Sequence, residues 1–272
     1  MRRAALLLAA MCAMGVTVGC ELLVGIKDKT QSTDAAPGPD ASPSDATTGD
    51  ALAGDASAVD PDLPCDKQPT NLFCDDFDSE LEAGDGWTWD IAMSGGAVAF
   101  DGTEYVSSPR SALFSIPNAP ADAQLGQDIG ADLQTGYRLA FDLRVDMTDL
   151  SSLPQVAAAQ VNRAGNDALT VAYVLGSGSH AYIQLYEGSA TTPTNLPLSQ
   201  LPPLQVWTRI VLVYDIQQGL TVIEDGVTIL TNPAAAHGAP GQTSIIVGAV
   251  YSNAPGSGAA TFEIDNVVLQ GQ

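Results

Sequence analysis

Alternation of apolar and polar residues is the dominant pattern of the chain after residue 65. It is clearest in residues 137–146, where apolar residues take every second position. Successive side chains of a β-strand point to opposite faces, so this run predicts a strand with one buried and one solvent-facing side. Residues 206–214 predict a second strand, because they are rich in β-branched and aromatic residues.

Two further runs, residues 219–224 and 227–230, are separated only by Asp225 and Gly226. An Asp-Gly pair between two such runs predicts a β-hairpin. The same reasoning predicts strands in residues 112–116, 155–161, 168–175, 181–186, 244–251 and 261–269. No stretch sustains a capped helical period, and Gly, Pro, Asn and Asp separate the runs. Residues 65–272 are therefore predicted to form one all-β domain, a sandwich of two antiparallel sheets.

The segment before this domain has a different composition. Residues 27–64 contain no aromatic residue, and Asp, Ala, Pro, Ser, Thr and Gly dominate them. Such a segment cannot bury enough apolar surface to offset the entropy lost on ordering. We therefore expect residues 20–64 to be a disordered tether.

The N-terminus has the layout of a bacterial lipoprotein signal. Arg2 and Arg3 precede an apolar stretch over residues 4–18, and Gly19 stands directly before Cys20. This order predicts a signal peptide over residues 1–19 and a lipid on Cys20. An ordinary secretory signal is one alternative. The other is an uncleaved anchor over residues 4–26, which the carboxylate of Glu21 disfavours.

The remaining cysteines fit an oxidising compartment. Cys12 lies in the segment that would be removed, and Cys20 would be alkylated, which leaves Cys65 and Cys74 to form a disulfide. A metal pair is the alternative, but zinc takes four ligands and the chain offers only His180 and His237 elsewhere.

Three segments carry a family resemblance. Residues 71–78, residues 207–215 with the following Asp-Gly hairpin, and residues 262–269 are similar to segments of laminin-G and concanavalin-A-like jelly-roll domains. The layout of lipid signal, acidic tether and Cys-flanked domain resembles surface lipoproteins of myxobacteria. The resemblance implies a jelly-roll β-sandwich. It does not decide among carbohydrate-binding modules, adhesion domains and glycoside hydrolases, because all three use this fold.

The lack of complete catalytic motifs favours the noncatalytic members of that group. Jelly-roll hydrolases carry a Glu-x-Asp-x-Glu or Glu-x-Asp-x-x-Glu strand for two-carboxylate chemistry. Here the segment beginning at Glu263 and Asp265 lacks the second Glu, and the chain has no G-x-S-x-G motif. We therefore expect the protein not to be an enzyme.

One predicted strand offers a ligand-binding strip. Tyr182 and Tyr186 share the parity of His180 and Gln184, so all four lie on one face. Exposed aromatic rings stack on sugars at low entropic cost, which favours glycan binding. Ordinary cross-strand packing is the alternative. Trp207 is expected in the core. Trp87 and Trp89 are expected to share one strand face and to pack in the core or at an edge, with ligand contact as the alternative.

The resemblance also implies a structural calcium ion between the first and last strands, as in several jelly-roll binding modules. Hard oxygen ligands are abundant in the matching segments. The candidate ligands are Asp75, Asp76, Asp78, Asp265 and Asn266. The alternative is that these residues lie at solvated edges or cap turns.

Charge excludes one class of partner. The chain carries 10 basic and 32 acidic residues and a net charge of −22, so a phosphate backbone would be repelled and nucleic acid is not expected.

We expect a lipid-anchored protein of the cell envelope, with the outer membrane favoured, that displays a noncatalytic module for a polysaccharide or another surface polymer. A structural or adhesion domain that contacts a cell-surface protein is the first alternative. A glycan-active hydrolase is the second.

Mass spectrometry of the protein from bacterial membranes tests the anchor. We expect residues 1–19 to be absent and Cys20 to carry acyl chains, because two or more chains give stable attachment. An unmodified Cys20, or retention of residues 1–19, would overturn the prediction.

Overall fold

The computed structural model describes residues 65, 71–78, 84–117, 121–133, 135–146, 156–163, 169–176, 180–188, 192–199, 201–235, 241–249 and 259–272. All of them belong to the unit Ser57–Gln272. The predicted signal peptide, Cys20 and the predicted tether over residues 20–64 lie outside the described residues. None of the described segments forms a helix with the length and apolar character that a membrane span requires.

Strands account for most of the described residues, and a short 3-10 helix, Pro233–Ala235, follows the last strand of the Asp-Gly hairpin. In chain order the strands are β1 (Asn71–Asp75), β2 (Trp89–Met93), β3 (Ala97–Asp101), β4 (Ser111–Ile116), β5 (Asp122–Leu133), β6 (Gly136–Val145), β7 (Val156–Arg163), β8 (Leu169–Gly176), β9 (His180–Glu187), β10 (Thr194–Pro197), β11 (Thr208–Asp215), β12 (Gly219–Glu224), β13 (Val227–Asn232), β14 (Gly241–Ala249) and β15 (Ala260–Gly271).

The strands form two sheets. Sheet A has the order β13-β12-β11-β6-β15-β4-β3, and β1 pairs with the C-terminal part of β15. Sheet B has the order β10-β9-β8-β7-β14-β5-β2. Every strand pair within the sheets is antiparallel. The predicted all-β fold, a sandwich of two antiparallel sheets, is confirmed.

The core lies between the sheets and takes every second residue of the central strands. On β6 the residues Tyr137, Leu139, Phe141 and Leu143 are fully buried, as the alternating pattern predicted. The rings of Phe141 in sheet A and Tyr173 in sheet B meet edge to face, with centroids 6.1 Å apart. Each such side chain contributes about 1.5–3 kcal/mol by leaving water, so the core faces fix which side of each strand remains outside.

The Asp-Gly hairpin is also confirmed. Strands β12 and β13 pair antiparallel, and Asp225 and Gly226 have φ values of 46° and 77°. Positive φ at both central residues is the geometry that favours Asp-Gly, since glycine adopts it without steric cost. The Asp225 carboxylate also accepts a hydrogen bond of 2.8 Å from the Arg209 amide.

Alternation alone did not predict β1, β2, β3, β5 and β10, and β1 was expected only from the family resemblance. Strand β5 is the longest of these, with 12 residues, and contains Gly126 and Gly130. Glycine weakens an isolated strand, so β5 lacks a local signal. It forms because it pairs with β14 on one side and β2 on the other.

The predicted disulfide between Cys65 and Cys74 is present and joins the start of the domain to β1. It closes a loop with a sequence separation of 9 residues. Strand β1 in turn pairs with β15 at the centre of sheet A. The disulfide therefore ties the N-terminal end of the domain to its last strand.

Breaking the disulfide should lower the free energy of unfolding by about 2–3 kcal/mol, because the unfolded chain gains loop entropy. Urea unfolding of Cys65→Ser and Cys74→Ser measures the loss, and we expect equal effects because either change breaks the same bond. A thiol reductant should produce the same shift in the wild type. Unchanged midpoints in both variants would contradict the prediction.

Candidate functional site

Sheet B has a face that points away from the core, called here the open face. Its strands bury alternate residues, such as Val171 and Tyr173 on β8, so the residues between them point outward. Directly paired residues of neighbouring strands share a face, and the strand registers therefore define rows of side chains across the sheet. Two adjacent rows carry most of the polar and aromatic groups of the open face.

The first, called the central row, crosses six strands. Its members are Gln184, Ala172, Gln160, Ile246, Gly126 and Trp89. The second, called the polar row, lies beside it and crosses five strands. Its members are Tyr186, Thr170, Asn162, Ser244 and Asp128.

Hydrogen bonds join the two rows at their centre. The Thr170 hydroxyl donates to Asn162 Oδ1 over 2.9 Å, and Gln160 Nε2 donates to the same oxygen over 3.3 Å. These bonds fix the two amides relative to each other. The centre of the open face is therefore a polar patch of uncharged groups that both donate and accept.

Strand β9 places the predicted ligand-binding strip on one face, as the alternation of its residues predicted. Tyr182, Gln184 and Tyr186 are partly exposed on the open face, whereas Ala181, Ile183 and Leu185 are buried in the core. His180 is exposed at the first position of the same strand. The four residues share one face, and their role in ligand binding stays a prediction.

Tyr182 also packs on the sheet surface. Its ring contacts Ala172 and Val174, which form a small apolar cluster on the open face. Its hydroxyl is buried and has no hydrogen-bond partner among the described residues. Burial, with a smaller contribution from Tyr186, raises the pKa of Tyr182 to about 12. The phenol therefore stays protonated at neutral pH.

Trp89 lies on the open face and is partly exposed; packing in the core or at an edge was expected, with ligand contact as the alternative. It begins β2 and pairs with Gly126. A Cβ at position 126 would overlap the six-membered ring of Trp89, so the indole lies against the sheet where glycine leaves room. A glycine inside an otherwise pairing strand signals such a close approach, but only once the strand itself is recognised.

Trp87 does not share this face, contrary to expectation. It precedes β2 and is buried, and its Nε1 donates a hydrogen bond of 2.5 Å to Asp75 Oδ2. Its ring packs against Phe73 and Phe77. Trp87 thus belongs to the core, while Trp207, which was expected there, is only partly buried just before β11.

Gln160 and Asn162 were not predicted from the sequence as site residues. Alternation assigned them to a predicted strand, but nothing local shows which other strands their side chains meet. Pairing of β7 with β8 and β14 puts them at the centre of the open face. Their importance follows from tertiary pairing.

The predicted calcium ligands lie on the side of sheet A. Asp265 is fully buried and accepts hydrogen bonds from the amides of Val106, Ser107 and Asn266 and from the Ser107 hydroxyl, at 2.7–2.9 Å. Burial raises its pKa to about 6, although these bonds act in the opposite direction.

The other candidates are likewise engaged within the protein. Asp75 accepts bonds from Trp87 and the Phe77 amide, Asp76 accepts one from the Asp78 amide, and the Asn266 side chain donates to Asp142. The described residues contain no group of three or more His, Cys, Asp or Glu that could hold a metal ion. These carboxylates fit the alternative role as caps of turns and loops, and calcium binding stays a prediction.

Glu263, the first residue of the degenerate hydrolase motif, is also on the outer face of sheet A. It is 1 % exposed and accepts hydrogen bonds of 3.0 Å from the Ser111 hydroxyl and 2.8 Å from Arg144 Nη1. Arg144 also pairs with Asp146 at 2.7 Å. Burial and then Asp146 raise the pKa of Glu263 to about 8. The motif therefore serves the structure of sheet A and is remote from the open face.

Comparison with solved structures identifies the fold as a jelly roll. An endo-beta-1,4-glucuronan lyase from the fungus Trichoderma reesei has a TM-score of 0.56 and 13% identity, over 75% of this chain and 96% of the lyase. The cellulose induced protein Cip1 has a TM-score of 0.54 and 15% identity, over 74% of this chain and 97% of Cip1. A family 7 alginate lyase has a TM-score of 0.47 and 11% identity, over 62% and 83% of the two chains.

No protein-family model and no curated protein matches the sequence. The fold is thus shown by structure, and neither membership of the laminin-G family nor the likeness to myxobacterial lipoproteins is shown.

The expectation that the protein is not an enzyme is wrong. It depended on the missing second Glu after Asp265, but that motif describes only one class of glycan-active enzyme. The glucuronan lyase is an enzyme and shares the fold over nearly its whole length. The missing second Glu after Asp265 therefore carries no conclusion about whether the protein is an enzyme.

Glu263 should make stability depend on pH. Its pKa is raised from 4.5 to about 8 in the folded protein, so the folded state holds one more proton between these values and stability falls as the pH rises from about 5 to 8. Glu263→Gln cannot titrate, and its free energy of unfolding should fall less across this range.

Urea unfolding at pH 5, 6.5 and 8 measures the effect. Glu187→Gln, at an exposed position at the end of β9, is the matched control and should follow the wild-type curve. Parallel curves for Glu263→Gln and wild type would show that Glu263 does not carry the dependence.

Proposed function

We propose that the protein binds a polysaccharide chain on the open face of sheet B. The observation that carries this proposal is the pair of adjacent rows that place amides, hydroxyls and aromatic rings on one side of the sheet. The glucuronan lyase and Cip1, which have the same fold, support a role connected with carbohydrate.

The chemistry of the two rows suits sugar hydroxyl groups and sugar ring faces. Side-chain amides donate and accept at once, which matches the hydroxyls of a carbohydrate. Trp89, Tyr182 and Tyr186 add apolar ring surface, on which the C–H face of a sugar can stack. Only part of each ring is exposed, so the sheet holds the rings in position before a ligand arrives.

Cleavage of the bound chain is a second candidate function. The observation that favours it is the contact of Gln160 and Thr170 with Asn162, next to Tyr186 in the polar row. Amide groups can hydrogen-bond the carboxylate of a uronic acid, and a tyrosine can take part in proton transfer at the neighbouring carbon and oxygen. The named activity of the glucuronan lyase makes elimination the reaction to test.

Display from a membrane completes the proposal. A lipid on Cys20 would hold the protein in the cell envelope, with the outer membrane favoured, and residues 20–64 would separate the domain from the lipid headgroups. The supporting observations are the order of Arg2, Arg3, the apolar stretch and Gly19 before Cys20.

A glycan array with the purified protein tests the binding proposal. It should carry neutral β-1,4-glucans and β-1,4-glucuronan, and we expect binding to at least one extended polymer. Gln160→Ala and Tyr186→Ala should each weaken that binding about 10-fold, because one hydrogen bond or one ring contact is lost.

Thr221→Ala provides the matched control. Thr221 lies between the buried Leu220 and Val222 on β12, so it is on the outer face of sheet A, and its removal should leave binding unchanged. Equal binding by all three variants would exclude the open face as the site. A rise in ultraviolet absorbance on incubation with β-1,4-glucuronan, from the unsaturated product of elimination, would establish cleavage.

A further inference from the structure

Two aromatic rings of the open face lie over glycines, and this arrangement is specific to their positions. The Trp89 indole occupies the space that a Cβ of Gly126 would need. The Tyr182 ring occupies the corresponding space at Gly176, where a Cβ would overlap its Cε1 atom. Both glycines are within strands, in which glycine carries an entropic cost of about 0.5–1 kcal/mol relative to alanine.

The two ring-and-glycine pairs are on opposite sides of the open face. Gly126 is on β5 and Gly176 is on β8, with β14 and β7 between them. Adjacent strands are about 4.8 Å apart, so three spacings put the two glycines at least about 14 Å apart across the sheet. A single sugar ring cannot reach both aromatic rings.

The surface between the two rings has a polar group, the amide of Gln160, at its centre, with the apolar Ile246 and Ala172 on either side. A path from Trp89 toward Tyr182 crosses Ile246 and then Gln160, which is hydrogen-bonded to Asn162, before it reaches Ala172 and Gln184. The order is therefore ring, polar centre, ring. It fits a ligand with apolar ring faces at both ends and hydroxyl groups along its length.

We infer that Trp89 on Gly126 and Tyr182 on Gly176 are the two stacking platforms of one groove, and that the ligand is an extended segment of several sugar rings that crosses the strands. This inference rests on the proposed function. Gly126 and Gly176 are positioning residues, since they act by letting the rings lie against the sheet. A binder of single sugars or chain ends needs only one platform.

Chain length provides the first test. The probes are linear β-1,4-linked gluco-oligosaccharides and oligoglucuronates of two to eight residues, with affinity measured by titration calorimetry. Affinity should rise with length until both platforms are reached, and a disaccharide should bind at least 10-fold more weakly than the longest probe. A plateau at two residues would overturn the two-platform groove.

Substitutions at the platforms provide the second test. Trp89→Ala and Tyr182→Ala should each weaken binding of the longest probe about 10-fold. Tyr182→Phe is the matched control, because the hydroxyl has no hydrogen-bond partner and the ring remains. It should bind as the wild type does. Loss of affinity in Tyr182→Phe equal to that in Tyr182→Ala would overturn the stacking role.

A double-mutant cycle separates positioning from general stability. Gly126→Ala should weaken binding about as much as Trp89→Ala does, and should have no additional effect when residue 89 is already alanine. Gly102→Ala is the control glycine, since its added Cβ has its nearest neighbour at 3.8 Å. Additive effects of the substitutions at positions 89 and 126 would overturn the positioning role.

Folding of each variant is verified by circular dichroism and thermal unfolding. Should Trp89→Ala not fold, Trp89→Leu keeps apolar volume on β2 and removes the aromatic stack, with the same expected loss. Failure of the wild type to bind any probe or any array polymer would overturn the proposed function itself. Wild-type binding that all platform variants retain would overturn only the two-platform groove.

Discussion

Burial of one face of each sheet against the other is the constraint on which the rest of the structure depends. It commits every second residue of the central strands to the core, as Leu139 and Phe141 of β6 and Val171 and Tyr173 of β8 show. The residues between them point outward, because successive side chains of a strand lie on opposite faces. The two outer faces then differ in what they do with their polar groups. The carboxylates of sheet A accept hydrogen bonds from partners within the protein, whereas sheet B leaves amides and aromatic rings partly exposed on its open face.

The contrast between the two faces also separates the acidic candidate residues, which lie on sheet A, from the amides and rings of the open face. Asp265 and Glu263 resemble metal ligands or catalytic acids in sequence. In the structure their oxygens accept bonds from backbone amides, from the hydroxyls of Ser107 and Ser111, and from Arg144. A buried carboxylate needs such partners to offset its desolvation. Their burial is thus accounted for by the packing of the segment before β4 onto sheet A.

Much of the fold could be predicted from local patterns, and the site only in part. Parity along β9 placed Tyr182, Gln184 and Tyr186 on one face, because alternation within a strand is a local property. Parity failed for Trp87 and Trp89, because Trp87 precedes β2 and Asp75 holds its indole in the core. The rows themselves require the registers of β7, β14 and β5, which long-range pairing sets, so no local signal could join Gln160 to Trp89.

The same core can therefore support different activities, because a ligand on the open face would meet only outward-facing side chains. The choice between the proposed binding and cleavage depends on the proton-transfer groups of the open face. Tyr182 keeps its proton at neutral pH, since its pKa is about 12, and its ring packs on Ala172 and Val174. It is consequently suited to stacking and unsuited to act as a base. A base for the proposed elimination would come from another position, such as Tyr186, which pairs with Thr170 in the polar row beside the hydrogen-bonded amides. Cleavage and stacking would then be tasks of different tyrosines on the same strand.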